Sequence, residues 1–159
     1  MERGKAMRTE LLRRESITCL RSAGWSPQRD VSHLVVRWES DFFSPNPFCI
    51  TEAARAALTE LGGLWLEQSG PGRSVARRSF GFDPTAADGE QDRFIEFENA
   101  LDIKLCPIGE ADNRETYLAM GDSGQVLCLM DDAWILGDCI ETALNSLILG
   151  ELGESIHLD

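Results

Sequence analysis

PIGEADNRETYLAMGDSGQVLCLMDDAWILGDCIETALNSLILG, residues 107–150, is the stretch on which the fold turns. Residues 115–120 read as a strand, and residues 125–130 as a second, almost wholly apolar one. Between them Gly121-Asp122-Ser123-Gly124 is dense in turn formers, because Gly accepts positive φ and Asp and Ser bond their own backbone. Two apolar runs joined by such a turn predict a β-hairpin. Beyond residues 131–137, Ile140, Ala143, Leu144, Leu147 and Ile148 recur at the spacing of one helix face. Asp138 with Glu141 three residues on reads as a capping-box start, and Gly150 as the stop. The stretch is therefore a core hairpin with a helix laid on it.

Upstream, Leu12, Ser16, Cys19, Leu20 and Ala23 form a helical stripe, with Thr9 as its N-cap and Gly24 as its end. Trp25 follows in a turn and is expected to plug the core. Residues 31–43 keep helical spacing until Ser44-Pro45-Asn46-Pro47 breaks it. Thr51 caps a helix with Ala54, Ala57, Leu58 and Leu61 on one face. Gly62-Gly63 ends it with at least one positive φ and feeds a strand at residues 64–67 containing Trp65, also expected in the core. Residues 79–82 alternate as a strand. Asp88 and Gln91 resemble a capping box before a helix carrying Phe94, Phe97 and Leu101. Residues 103–106 form a short strand that stops at Pro107. Three helices, two strands, a helix, three strands and a helix predict an α+β fold. It is a single domain over residues 1–159, its core at about 10–150 and its tails short, with helices packed on a mixed or mainly antiparallel sheet.

The formal net charge is −12, and it is unevenly spread. Residues 1–82 hold 12 basic and 9 acidic side chains; residues 83–159 hold 3 basic and 18 acidic ones. Such a surface repels nucleic acid and attracts basic partners. No apolar run reaches the roughly 18 residues of a membrane span, and the N-terminus lacks the apolar core of a secretion signal. Five cysteines, an odd number with no CxxC pair, read as free thiols in a reducing cytoplasm.

The residues that carry chemistry are sparse. Two histidines, His33 and His157, supply neither a His-based metal site nor Ser-His-Asp or Cys-His catalysis. Asp131-Asp132 reads as a turn rather than a paired-carboxylate site. Asp112 with Glu115, and Glu96 with Glu98, lack the ordered ladder of a calcium loop. No catalytic residue, metal or cofactor is expected. The reading is a binder, not an enzyme.

Six motifs in order then add a resemblance. They are residues 23–31 (Ala-Gly-Trp-Ser-Pro-Gln-Arg-Asp-Val), 58–64 (Leu-Thr-Glu-Leu-Gly-Gly-Leu) and Phe82-Asp83-Pro84. Cys106-Pro107-Ile108-Gly109-Glu110 and Gly124-Gln125-Val126 follow, then Leu136-Gly137-Asp138 with residues 143–150 (Ala-Leu-Asn-Ser-Leu-Ile-Leu-Gly). Together they resemble the third family of the SUKH superfamily over roughly residues 10–150, with Trp25, Gly62, Gly63, Pro107, Gly109 and Gly137 as structural motif positions. The chain departs where Leu61 replaces a common aromatic and Gln28 a common Gly, both near turns. The resemblance implies a SUKH-like α+β scaffold and a bacterial immunity protein of a polymorphic toxin system. Such a protein binds and neutralises a secreted toxin, often a nuclease or nucleic-acid deaminase. An adaptor for an endogenous client is the alternative. The expected partner is a basic toxin protein, with no nucleic acid and no membrane, bound by a monomer or weak homodimer. Among the acidic residues of the second half, those flanking the open end of the hairpin are the expected partner-binding set: Glu110, Asp112, Glu115, Asp131 and Asp132. Trp134 lies beside them, either as an aromatic anchor or as part of the core.

Overall fold

In the computed structural model, which describes residues 7–112, 115–151 and 153–156, the chain builds one seven-stranded sheet. Its strands are β1 (Trp65–Leu66), β2 (Phe80–Gly81), β3 (Leu105–Ala111), β4 (Thr116–Gly121), β5 (Val126–Leu129), β6 (Ala133–Gly137) and β7 (Ser155–Ile156). They lie side by side in chain order, and every neighbouring pair is antiparallel. The five α-helices are α1 (Arg14–Ser22), α2 (Ser32–Trp38), α3 (Glu52–Leu61), α4 (Gln91–Leu101) and α5 (Ile140–Leu149). A π-helical turn, Glu39–Phe43, extends α2.

The predicted hairpin is β4–β5, with Tyr117 opposite Leu129 and Met120 opposite Val126. Successive residues of a strand point to opposite faces. Phe94 of α4 sets its ring 6.2 Å from Tyr117, so the odd-numbered face of β4 meets α4. Met120 on the even-numbered face lines a cleft with residues of α3 and α5. All four residues of β5 are buried, which is why its sequence is continuously apolar rather than alternating. The buried side chains of both faces join one hydrophobic cluster that includes Trp25 and Leu144.

Several expectations change. β3 does not stop at Pro107 but runs through it to Ala111. Pro107 pairs with Ala119 where the register shifts, an irregularity that accommodates the missing N–H. Residues 133–137, to which the sequence assigns no element, form β6, a strand between β5 and β7. Trp65 is only half-buried; it lies over Gly81 and donates its indole N–H to Glu67 at 3.0 Å. α1 starts at Arg14, because Thr9–Leu11 forms a separate 3-10 turn. The capping residue of α5 is Cys139, reciprocally bonded with Thr142, and Asp138 is not involved. α4 begins after Glu90 with no side-chain cap from Asp88.

The motif positions have local physical reasons. Gly63 has φ +81°, the left-handed region, while Gly62 is held by lack of room: a Cβ there would sit 2.9 Å from the Trp38 ring. A Cβ on Gly109 would strike the Gly81 carbonyl of the neighbouring strand, and one on Gly137 would strike Thr142 and the Ala143 nitrogen of α5. Arg29 ties two motifs together. Its guanidinium donates to the carbonyls of Glu60 (2.6 Å) and Gly62 (2.8 Å), closing the C-terminal end of α3. The N–H of Val31 donates to the Thr59 carbonyl at 2.7 Å beside it. Asn145 of α5 does the same for α1. Its Oδ1 accepts from the Arg13 N–H (2.9 Å) and the buried Ser16 hydroxyl (2.7 Å), replacing the missing local cap, and its Nδ2 donates to the Leu11 carbonyl.

Candidate protein-binding surface

The antiparallel order brings the β3–β4 and β5–β6 turns to the same end of the sheet, and the β4–β5 turn to the other. Asp112, Glu115, Asp131 and Asp132 therefore share an end, as the hairpin geometry requires, and Asp122 lies at the opposite one. Glu110 is near the same end as the first four, half-buried opposite Tyr117 of β4 and Gly81 of β2.

These carboxylates are not equivalent. Asp112 adopts φ +54° at the start of its turn, where its N–H donates to the Ser79 carbonyl at 3.1 Å. Its Oδ2 lies 2.7 Å from Arg78 Nη1, so its charge is matched within the fold. Glu115 and Asp131 are exposed and Asp132 is half-buried. The β5–β6 turn is tight, with the Met130 N–H donating to the Asp132 carbonyl at 3.0 Å. Arg93 of α4 donates to the Met130 carbonyl and fixes the turn from behind. Glu115, Asp131 and Asp132 are thus carried outward on a braced support. Trp134 is half-buried, opposite Cys128 on β5 and Ser155 on β7, and packs against the core. Its ring is therefore partly committed to the core.

Elsewhere the reactive groups are subdued. Burial pushes the thiols of Cys106 and Cys128 up to about 12, which leaves them protonated and weakly nucleophilic near neutrality. His33 is exposed on α2, and His157 lies outside the described residues. Among the described residues, no group of three or more His, Cys, Asp and Glu side chains is placed to hold a metal ion, and no helix is long and apolar enough to cross a membrane. Glu141, expected only as a capping-box partner of Asp138, is instead a buried carboxylate tied to Arg8. It is 4% exposed in the first turn of α5. Burial works against its charge. The N–H groups of Arg8 and of Glu141 itself, Cys139 and the Arg8 guanidinium outweigh that and hold the carboxyl below the usual range. No pattern within α5 announces this role, because the donor comes from 133 residues away.

These features define an α+β domain built on a single antiparallel meander and offering a braced acidic end. Residues 13–150 match the model of the SUKH-3 immunity protein family, and the chain belongs to that family. Its role is accordingly that of an immunity protein, which implies a cognate toxin as partner. Comparison with curated proteins and with solved structures gave no match.

Proposed function

We propose that this protein neutralises its cognate toxin in the cytoplasm by stoichiometric binding, without turnover. The toxin is basic, of the kind that acts on nucleic acid, and the acidic sheet end meets its cationic surface as a charge mimic. The observation that carries this reading is the exposure of Glu115 and Asp131, with Asp132, on two adjacent turns of one end. Within the expected set the roles differ. Glu115, Asp131 and Asp132 attract the partner, Asp112 shapes its turn through Arg78, and Glu110 and Trp134 brace the strands behind. The accessible edge of Trp134 adds apolar contact. Opposite potentials raise encounter rates by orders of magnitude at low salt and suppress wrong partners.

The test is co-expression with the product of the adjacent gene, where the immunity reading expects the toxin, followed by titration of its toxic activity. Activity should fall linearly to zero at one equivalent, with a 1:1 complex on gel filtration. A toxin that stays active at a tenfold excess of this protein would refute the reading.

A further inference from the structure

The opposite end of the sheet holds a cleft of about 420 Å³, the size of a small ligand site. Segments far apart in the chain build it: the N-terminal residues Met7 and Arg8, the first turns of α3 and α5, and the end of β4 with its turn. Its floor is aliphatic, formed by Ala53, Ala57, Met120 and Ile140. Carboxylates stand around that floor. Glu52 lines the cleft from the exposed first turn of α3, and Glu141 from the first turn of α5. Asp122 and Asp138, both exposed, are each one residue from lining Ser123 and Cys139.

One cation, Arg8, also lines the cleft, but Glu141 answers it. The Arg8 N–H donates to Glu141 Oε2 at 3.1 Å, and its Nε lies 3.6 Å from the same oxygen. Among the described residues no ion pair engages Glu52, Asp122 or Asp138. The surplus charge is negative. The two helix N-termini do not reverse this, because each already carries its own glutamate in the first turn and a capping side chain, Thr51 or Cys139. An anion entering the cleft would meet carboxylates. The chemistry fits a long side chain with an apolar stem and a cationic head.

We infer that this cleft receives a lysine or arginine side chain of the partner protein, its stem on the aliphatic floor and its head among Glu52, Asp122 and Asp138. The identity of the partner as a toxin rests on the function proposed above; the chemistry of the cleft does not.

Two arms test it. In the first, the ¹⁵N-labelled full chain is titrated with acetyl-Ala-Arg-Ala-amide and with its citrulline counterpart, a neutral isostere. Saturable shifts are expected at the amides of Ala53, Ser123, Gly124 and Ile140 with the arginine peptide. Binding should be roughly fivefold weaker with citrulline, and about threefold weaker to Glu52→Gln, as loss of a partly exposed charge contact predicts. Glu52 is exposed and Thr51 keeps the helix cap, so this variant should fold. Equal shifts with both peptides, shifts confined to the opposite end of the sheet at residues 115–117 and 129–133, or no saturable shift would each overturn the inference. In the second arm, Ser123→Trp fills the mouth from an exposed turn position, and binding of the adjacent-gene toxin is measured by calorimetry with Glu52→Gln alongside. At least a tenfold loss is expected for Ser123→Trp at unchanged melting temperature. Unchanged affinity in both variants, with wild type binding tightly, overturns the cleft as an interface and leaves the immunity role intact. Arginine seating with no toxin bound by any form supports the cleft chemistry and overturns the toxin as its occupant.

Discussion

At one end of the sheet, the turns after β3 and β5 hold Glu115 and Asp131 out in solvent and Asp132 half-buried, beside a recess of only about 80 Å³ near Ala111, Thr116 and Met130. At the other, Glu52 and Glu141 line a cleft of about 420 Å³ with an aliphatic floor, and the exposed Asp122 and Asp138 are each next in sequence to a lining residue. Both ends are acidic, but they differ in shape. Charges on convex turns act over a Debye length, roughly 8–10 Å at ordinary salt, and so govern encounter. Charges around a concave apolar floor act after contact, where desolvation strengthens them and burial adds to affinity, so they govern residence time. The carboxylates of the two ends therefore have different roles, and each variant below separates one end from the other or removes both.

The largest effect should come from the element that serves both. α5 starts at the cleft with Ile140 and Glu141 and ends at the recess with Leu147 and Gly150. Leu144, fully buried, lies between. Leu144→Ala should cost about 2–5 kcal/mol in a denaturant titration, through lost burial and the cavity left behind. Both ends would then loosen together. A loss below about half a kcal/mol would mean that α5 is not held through this contact.

Next comes a change at the C-terminal end of α3, made through Arg29, which precedes α2. Arg29→Met removes two charge-assisted hydrogen bonds to the Glu60 and Gly62 carbonyls, and should cost about 1–3 kcal/mol by the same measurement. The cleft is lined by the opposite, N-terminal end of α3, so arginine-peptide binding to the folded fraction should be unchanged. A parallel loss of peptide binding would show that α3 transmits strain along its length.

How much of this was legible in the sequence follows from how local each cause is. The β4–β5 hairpin, α3 and α5 were readable because apolar spacing and turn residues repeat within a few positions. β6 was not, since Ala-Trp-Ile-Leu-Gly lies between Asp131-Asp132 and Asp138 and reads equally well as a linker; pairing with β5 makes it a strand. β3 was cut short at Pro107 because proline usually ends a strand, and only the register shift explains the exception. The start of α1 depends on Asn145, 132 residues away from Arg13. Of the acidic end, the grouping of Glu115 with Asp131 and Asp132 was legible from hairpin topology, while the neutralisation of Asp112 by Arg78 was not. The cleft was invisible, because four separate segments must fold before it exists.

The cleft end should also be distinguishable by pH. Glu141 has a folded-state pKa below its ordinary value, so it binds a proton less readily folded than unfolded. Its stabilisation is fully present above the unfolded value of about 4.3, and is lost as pH falls through the depressed folded value. Comparing wild type with Glu141→Gln by urea unfolding from pH 6 to pH 3, the wild-type advantage should be constant at the upper end and shrink at the lower. Arg8, which this carboxylate holds, should become more mobile over the same range. A constant difference down to pH 3 would mean that the fold does not lower the Glu141 pKa, so that the Arg8 contacts do not favour its charged form.

The smallest effect on the fold should come from the turns. Asp131 is exposed and Asp132 half-buried, and neither side chain makes an ion pair among the described residues. Asp131→Lys with Asp132→Lys should therefore change stability by no more than about half a kcal/mol. The turn itself is held by backbone atoms, the Met130 N–H on the Asp132 carbonyl and Arg93 on the Met130 carbonyl, which the substitution leaves in place. Association with a basic toxin should nevertheless slow by roughly tenfold at low ionic strength, because steering acts before any contact forms. The salt dependence of the on-rate should flatten, and the off-rate should rise by less than the on-rate falls. Ser123→Trp at the cleft should do the reverse, raising the off-rate and sparing the salt slope. Surface plasmon resonance at two ionic strengths reads all four quantities. If the double lysine variant instead left the on-rate and its salt slope unchanged, the turns would not face the toxin, and encounter would be steered by the carboxylates around the cleft.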